Sequence, residues 1–152
     1  MDTAFLDTTR IRRGRSNNGT RSVTDDQIDA LLESGLAAAD GSGTRPWHFV
    51  VIRDDALRKQ VSAALRQHPS LERASVFVAP TIRQSPGVQT SLDLGAVLES
   101  MPVGALSTPL SAIWIGDTNN LLWPAAEEVL LRQLRLPSSL QLRIPGLIAL
   151  GP

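Results

Sequence analysis

Thr44-Arg45-Pro46-Trp47-His48-Phe49-Val50-Val51-Ile52 is a polar turn closed by proline, followed by a six-residue run of aromatic and β-branched side chains. That run is too short for a helix and too apolar for a sheet edge, which predicts a strand buried on both faces. Just ahead of it, Gly41-Ser42-Gly43 supplies backbone free to take positive φ and to let a ligand approach closely. A helix is expected on either side of this unit. Upstream, Thr24 and Gln27 make a capping box ahead of Ile28, Leu31, Leu32 and Leu36, an i, i+3, i+4, i+8 stripe. Downstream, Asp54 or Asp55 caps a second helix with Leu57, Val61, Ala64 and Leu65 on its inner face, ending near His68-Pro69.

Farther out the alternation continues. Ala74 to Val78 reads as a strand stopped by Pro80, and Arg83 to Thr90, with Pro86-Gly87, as a loop. A helix is expected from about Asp93 to Leu106, carrying Leu94, Val97, Leu98 and Met101, with Pro102 kinking it or ending it early. Leu110 to Ile115 has a strand pattern ending in Gly116-Asp117. Pro124 then stands where a helix takes its first-turn proline, with Glu127 and Glu128 early and Arg132 late, the polarity a helix dipole favours. Val129, Leu130 and Leu134 are its expected buried positions, Leu136-Pro137-Ser138-Ser139 breaks the chain, and Gly146 to Leu150 reads as a final buried strand. There is no internal repeat, low-complexity tract or linker, which leaves one domain, residues 1–152, of α+β or α/β type.

Composition narrows the chemistry. With 152 residues, 42% of them hydrophobic, the chain is long enough for a real core. The absence of cysteine removes disulfides, thiolate nucleophiles and cysteine-ligated metals. The two histidines, His48 and His68, have no metal spacing, so no metal site is expected. The start is acidic without an apolar segment, and no apolar run reaches a membrane-spanning length, so a soluble cytoplasmic protein with no membrane partner is expected. Net charge is zero, yet Arg10, Arg12, Arg13, Arg15 and Arg21 fall in a segment without an acid from Thr8 to Thr24. That segment is either an anion site or a solvated basic arm. No glycine-rich dinucleotide fingerprint, phosphate loop, nucleophile elbow or zinc motif occurs, and no catalytic side chain is assigned.

The order and spacing of these pieces resemble the nitroreductase family of FMN-dependent oxidoreductases. Arg12-Arg13-Gly14-Arg15-Ser16 stands where that family has a basic R-R-S-x-R segment, and Pro46-Trp47-His48-Phe49 where it has Q-P-W-x-F. Asp93-Leu94-Gly95-Ala96, Trp114-Ile115-Gly116, Leu134-Arg135-Leu136-Pro137 and Ile148-Ala149-Leu150-Gly151-Pro152 follow at the family's separations. The resemblance spans residues 12–152, with 1–11 as an N-terminal extension. It implies an α+β fold, a three-layer α/β/α arrangement with a central mixed sheet flanked by helices. It also implies FMN as cofactor, NAD(P)H as electron donor, and reduction of a small nitroaromatic or quinone-like acceptor. In the family the flavin lies in a subunit interface, so a homodimer is implied; Leu121, Leu122 and Trp123 form an apolar cluster suited to such a contact.

Carried over position by position, the resemblance places Arg12 and Arg13 at the FMN phosphate with Gly14 and Ser16 beside them. Thr44 and Arg45 fall near the ring or ribityl chain, and the Leu110-Ser111-Ala112 backbone near the ring edge. Departures are concentrated at the same places. Gly43 replaces the family's asparagine, Arg45 its glutamine, Asp40 its serine, Gly14 a serine and Ser16 an arginine, while Pro109-Leu110-Ser111 replaces glycine-leucine-glycine. The Thr-Arg-Pro turn is similar to that in the flavin domain of the coenzyme F-420 glutamyl ligase. A catalytically weakened flavin-binding protein, or a flavin domain of deazaflavin metabolism, is therefore an alternative. A basic-armed nucleic-acid module is a third reading, opposed by 4% aromatics and zero net charge. Family members also run past the last G-x-P into a tail that adds a basic residue to the phosphate. With Ser16 in place of arginine, the expectation is readily exchangeable FMN.

Overall fold

The computed structural model describes residues 22–38, 45–66, 68–84, 87–117 and 120–151. Arg12, Arg13, Gly14, Ser16 and Thr44, with the N-terminal extension, lie outside the described residues.

Local signals set most of the elements. Helix α1 (Asp25–Leu36) starts at the expected capping box, Gln27 N donating to Thr24 Oγ1 at 3.3 Å and Thr24 N to Gln27 Oε1 at 3.0 Å. Strand β1 (Trp47–Ile52) follows, then α2 (Asp55–Ala64), capped by Asp54, whose Oδ1 accepts from Leu57 N at 2.7 Å. A short helix α3 (Pro69–Glu72) begins at its proline and leads into β2 (Val76–Arg83). Helix α4 (Val88–Gly104) tightens into a 3-10 turn, Ala105–Ser107, before β3 (Ser111–Gly116). The chain closes with α5 (Trp123–Gln133), a 3-10 turn at Ser138–Leu140, the two-residue β4 (Leu142–Arg143) and β5 (Gly146–Gly151).

The sheet runs β1-β2-β5-β3, with β4 pairing the C-terminal end of β2. Side chains alternate between its faces, as the two-residue strand period requires. Trp47, Val76, Val78, Ile82, Ile148 and Leu150 point to one face, where Ile28 and Leu31 of α1 and Leu94, Val97, Leu98 and Met101 of α4 cover them. Ile52, Phe77, Ala79, Leu147, Ala149 and Ile115 point to the other, covered by α2, α3 and α5 through Leu57, Val61, Leu71, Trp123, Ala126 and Leu130. The α+β fold with helices on both sides of a central sheet is thus present. Helices α1 and α4 touch at Gly35, where an added Cβ would come within 2.8 Å of Met101 Cγ.

Several expectations are corrected. All the strand pairings of the described residues are antiparallel, so the described sheet is not mixed. β1 is an edge strand of the described sheet rather than one buried on both faces: among the described residues it pairs only with β2, and His48 and Val51 are exposed. Its apolar residues serve two thin contacts instead of one deep one. Pro80 does not stop β2, because it falls between the stretch paired with β5 (Val76 to Val78) and that paired with β4 (Ile82, Arg83). A missing N–H is tolerated where one side of the ladder has no partner. Helix α4 starts at Val88, earlier than Asp93, and takes Pro102 inside it; α-helix persists only to Gly104. Trp123 is fully buried, so the apolar cluster expected to await a partner is core at that position, while Leu121 is exposed and Leu122 half-buried. Leu130 is buried as expected; Val129 and Leu134 are only partly so. No helix among the described residues is long and apolar enough to cross a membrane.

Candidate functional site

The antiparallel register gives the sheet two ends. At one stand the start of β1, the end of β2, the start of β5 and the end of β3, through the pairs Trp47 with Ile82 and Gly116 with Gly146. At the other stand Ile52, Val76, Gly151 and Ser111. Arg45 lies at the first end on the β1 edge, and Leu110 and Ser111 at the second end on the β3 edge. That diagonal crosses three strand spacings, roughly 14 Å, and about 20 Å along the strands. The structure does not bring Arg45 together with Leu110-Ser111 within one chain.

Their environments differ as well. Arg45 is exposed, with φ 42°. Arg66 (φ 54°) and Arg135 (φ 50°) share the left-handed conformation but directly follow helix C-caps, where it is commonplace. Arg45 follows no described helix end and precedes proline, so its backbone carries about 1–3 kcal/mol of strain of the kind that collects at functional sites. Leu110 is buried, Ala112 packs against the α1/α4 core, and Ser111 lies on the alternate face, its Oγ donating to the Gly151 carbonyl at 3.3 Å.

A cleft of about 340 Å³ opens at the first end, between α4 and the sheet. Its size falls in the roughly 300–1,000 Å³ range of small-molecule sites. Ile82, Leu94, Leu98, Trp114 and Pro145 make an apolar lining, and Gln84, Ser91, Asp117 and Arg143 add the polar groups. Gly95, from the expected Asp-Leu-Gly-Ala motif, also lines it, with nothing within 4 Å of where a Cβ would sit. Trp114 is held in place by a glycine: a Cβ on Gly146 would come within 2.6 Å of its Nε1 and 2.9 Å of the Ile115 carbonyl. Arg45 stands at this same end, two residues before Trp47, whose cross-strand partner Ile82 lines the cleft.

The cleft's charged wall was not foreseen as a site. Arg143 donates from Nε and Nη2 to Glu127 Oε1 and Oε2 at 2.7 and 2.9 Å, and Ile144 N donates to Oε1 at 2.8 Å. Glu127, read from sequence as a dipole-complementing acid, is buried and ties α5 to the chain entering β5. The hydrogen bond to Glu127 is the main cause that raises Arg143 above its ordinary pKa; desolvation opposes it, and the charges of Glu127 and Asp117 add to it. Arg143 therefore stays cationic. The sequence signal that could have found this wall was an acid and an arginine flanking a buried Trp-helix and a buried strand, spaced by sixteen residues. No group of three or more metal-ligating side chains occurs among the described residues, and His48 is exposed.

Comparison with known proteins places this arrangement. The sequence model described as "Nitroreductase family" matches residues 15–85. A relative from Archaeoglobus fulgidus named "Putative NADH dehydrogenase/NAD(P)H nitroreductase" is 26% identical over 100 residues, 63% of this chain and 58% of that protein. The matched stretch therefore spans little more than half the length of that curated relative. A Desulfovibrio desulfuricans structure described as a "putative nitroreductase in complex with fmn" superposes with TM-score 0.81 at 26% identity, covering 99% of this chain and 87% of that one. A Bacteroides thetaiotaomicron structure carrying the same name as the A. fulgidus relative has TM-score 0.79 at 24% identity, covering 99% and 87%, a likeness of fold. Sequence match, relatives and architecture agree in a likeness to the nitroreductase family.

Proposed function

We propose that the chain is an FMN-dependent oxidoreductase that takes electrons from NAD(P)H and passes them to a small nitroaromatic or quinone-like acceptor. The observation that carries this reading is the likeness, over 99% of the chain, to a structure described with FMN bound. The donor set of the cleft fits the group. An apolar lining that includes the Trp114 indole suits an isoalloxazine ring, and Gln84, Ser91, Asp117 and Arg143 offer both donors and acceptors for its carbonyl and N–H edge. Bound FMN supplies the hydride and electron transfer; the protein supplies position, polarity and exclusion of water.

In this reading Ile82, Leu94, Leu98 and Trp114 seat the ring and keep water from it, and Arg45 stands at the same end of the sheet. Arg12 and Arg13, with Gly14 and Ser16, hold the phosphate, Thr44 the ring or ribityl chain, and the backbone of Leu110, Ser111 and Ala112 a more distant part of the ligand. A homodimer is part of the proposal. Its support is the diagonal separation of Arg45 from Ser111, which a single planar ring cannot bridge, so that one site using both segments draws them from two copies. A cytoplasmic location belongs to the same reading.

The test is titration of FMN against riboflavin. FMN is expected to bind more tightly, and Arg12→Ala or Arg13→Ala to remove the difference, since a hydrogen bond to a charged group contributes about 1.5–3 kcal/mol, roughly ten- to a hundredfold. With Ser16 where the family has arginine, exchange on dialysis in high salt is expected. Protein that shows no yellow absorbance after incubation with FMN and gel filtration overturns the proposal. Gly43 and Arg45 in place of the family's asparagine and glutamine favour the alternative, a flavin binder with weak turnover or one linked to coenzyme F-420. It is distinguished by a yellow protein that NAD(P)H does not bleach.

A further inference from the structure

The polar wall of the cleft is arranged in a way that ring binding alone does not require. Glu127 grips Arg143 through two nitrogens, at 2.7 and 2.9 Å, so the guanidinium plane is fixed. The carboxylate is itself held by Ile144 N at 2.8 Å, and the Ile144 carbonyl accepts from Trp123 Nε1 at 2.8 Å, so the anchor reaches into the fully buried core. Among the described residues the third nitrogen, Nη1, makes no hydrogen bond. Beside it, Asp117 Oδ2 lies 3.8 Å from Nη2, too far for a hydrogen bond, while Asp117 N donates to the Pro145 carbonyl at 3.0 Å and fixes the residue's position. One guanidinium faces two carboxylates, so the wall is not an anion site. It presents a fixed donor next to an open acceptor over an aromatic floor.

We infer that Arg143 and Asp117 are a donor–acceptor pair that selects a planar heterocycle with a carbonyl beside an N–H on one edge, and that Glu127 is the positioning residue that aims Arg143. The inference rests on the flavin reading above: the pyrimidine end of the isoalloxazine carries that edge, C=O next to N3–H. Arg143 donates to the carbonyl and Asp117 accepts from N3–H. A lysine at 143 would keep the charge but lose the fork through which Glu127 sets the direction.

The experiment uses the full chain with lumiflavin and 3-methyllumiflavin, which lack ribityl and phosphate and differ at N3. Wild type is expected to bind lumiflavin about tenfold more tightly than the methylated ring, the contribution of one such hydrogen bond. Asp117→Ala should bring the two affinities together, and Arg143→Lys should weaken both while keeping their ratio. Glu127→Gln should weaken lumiflavin in the wild-type background and have no further effect in Arg143→Ala, a non-additivity that general destabilisation does not produce. If Glu127→Gln fails to fold, Asp117→Ala and Arg143→Lys, both at half-exposed side chains, still decide the donor–acceptor pair. Wild type that binds lumiflavin without discriminating, or a ratio unmoved in Asp117→Ala, overturns this inference and leaves the flavin reading standing. Wild type that binds neither lumiflavin nor FMN overturns both.

Discussion

The two faces of the sheet are built to different standards. On the α2/α5 face, the largest buried side chain, Trp123, is fully enclosed and its indole N–H is satisfied by the Ile144 carbonyl. On the α1/α4 face, Trp47 is also buried, at 5% exposure, yet its Nε1 has no hydrogen-bond partner among the described residues, and the same face opens at one end into the cleft. The closed face pairs the polar group of its largest side chain, although Arg58 Nε and Ser62 Oγ of α2 are buried there without a partner among the described residues. The other gives up some packing where the cleft opens, the place the proposed ligand would enter, which is the usual exchange between stability and function.

The most severe way to break this contrast is Trp123→Ala. Removing a fully buried tryptophan costs about 3–5 kcal/mol, and the Ile144 carbonyl loses its partner as well. Denaturant unfolding should show the loss as a lower midpoint; a shift worth under about 1 kcal/mol would mean the face is less tightly closed than described.

Gly146→Ala attacks the open face at its edge. The added Cβ meets Trp114 Nε1 at 2.6 Å and the Ile115 carbonyl at 2.9 Å, so the indole that floors the cleft must shift. Overpacking of this kind costs about 1–3 kcal/mol. Flavin affinity should fall along with stability, and a variant that unfolds earlier but binds unchanged would separate Trp114 from the ring site.

The two tryptophans allow a finer comparison. Trp123→Phe leaves the Ile144 carbonyl unpaired and should destabilise by about 1–3 kcal/mol, the cost of a buried group left unsatisfied. Trp47→Phe removes an N–H that has no partner among the described residues, so lost area and relieved desolvation oppose each other and the change should stay within about 1 kcal/mol. Equal losses in the two variants would show that the Trp47 N–H is satisfied in solution.

The smallest effect lies on the surface of α2. Asp55 is held below its ordinary pKa of 3.8, chiefly by a hydrogen bond from Lys59, opposed by desolvation and aided by the charges of Lys59 and Arg58. A lowered folded pKa means the contribution is present above 3.8 and is lost as pH falls through the folded value. Asp55→Asn should therefore be slightly less stable than wild type near neutrality and indistinguishable from it in acid. A difference that persists at low pH would assign the effect to helix capping rather than charge.

Short-range chemistry was legible in the sequence. The Thr24–Gln27 capping box, the Asp54 cap, the first-turn Pro124 and the short apolar run from Gly146 to Leu150 each depend on residues within a few positions of one another, and each element formed where these signals placed it. The ordered motifs also carried the family resemblance, because they sample the chain at fixed separations. What tertiary structure alone decided depends on distant neighbours. Whether Trp47–Ile52 lies inside or at the edge of the sheet is set by which strands pair beside it, and Pro80 is tolerated because β5 and β4 leave a gap along β2. Glu127 carries the same charge in either reading; only the fold brings Arg143 and Ile144 onto it and turns a helix-end acid into a buried anchor. The cleft draws Ile82, Leu94, Trp114 and Arg143 from four separate elements, and no local pattern specifies where four elements will fail to close.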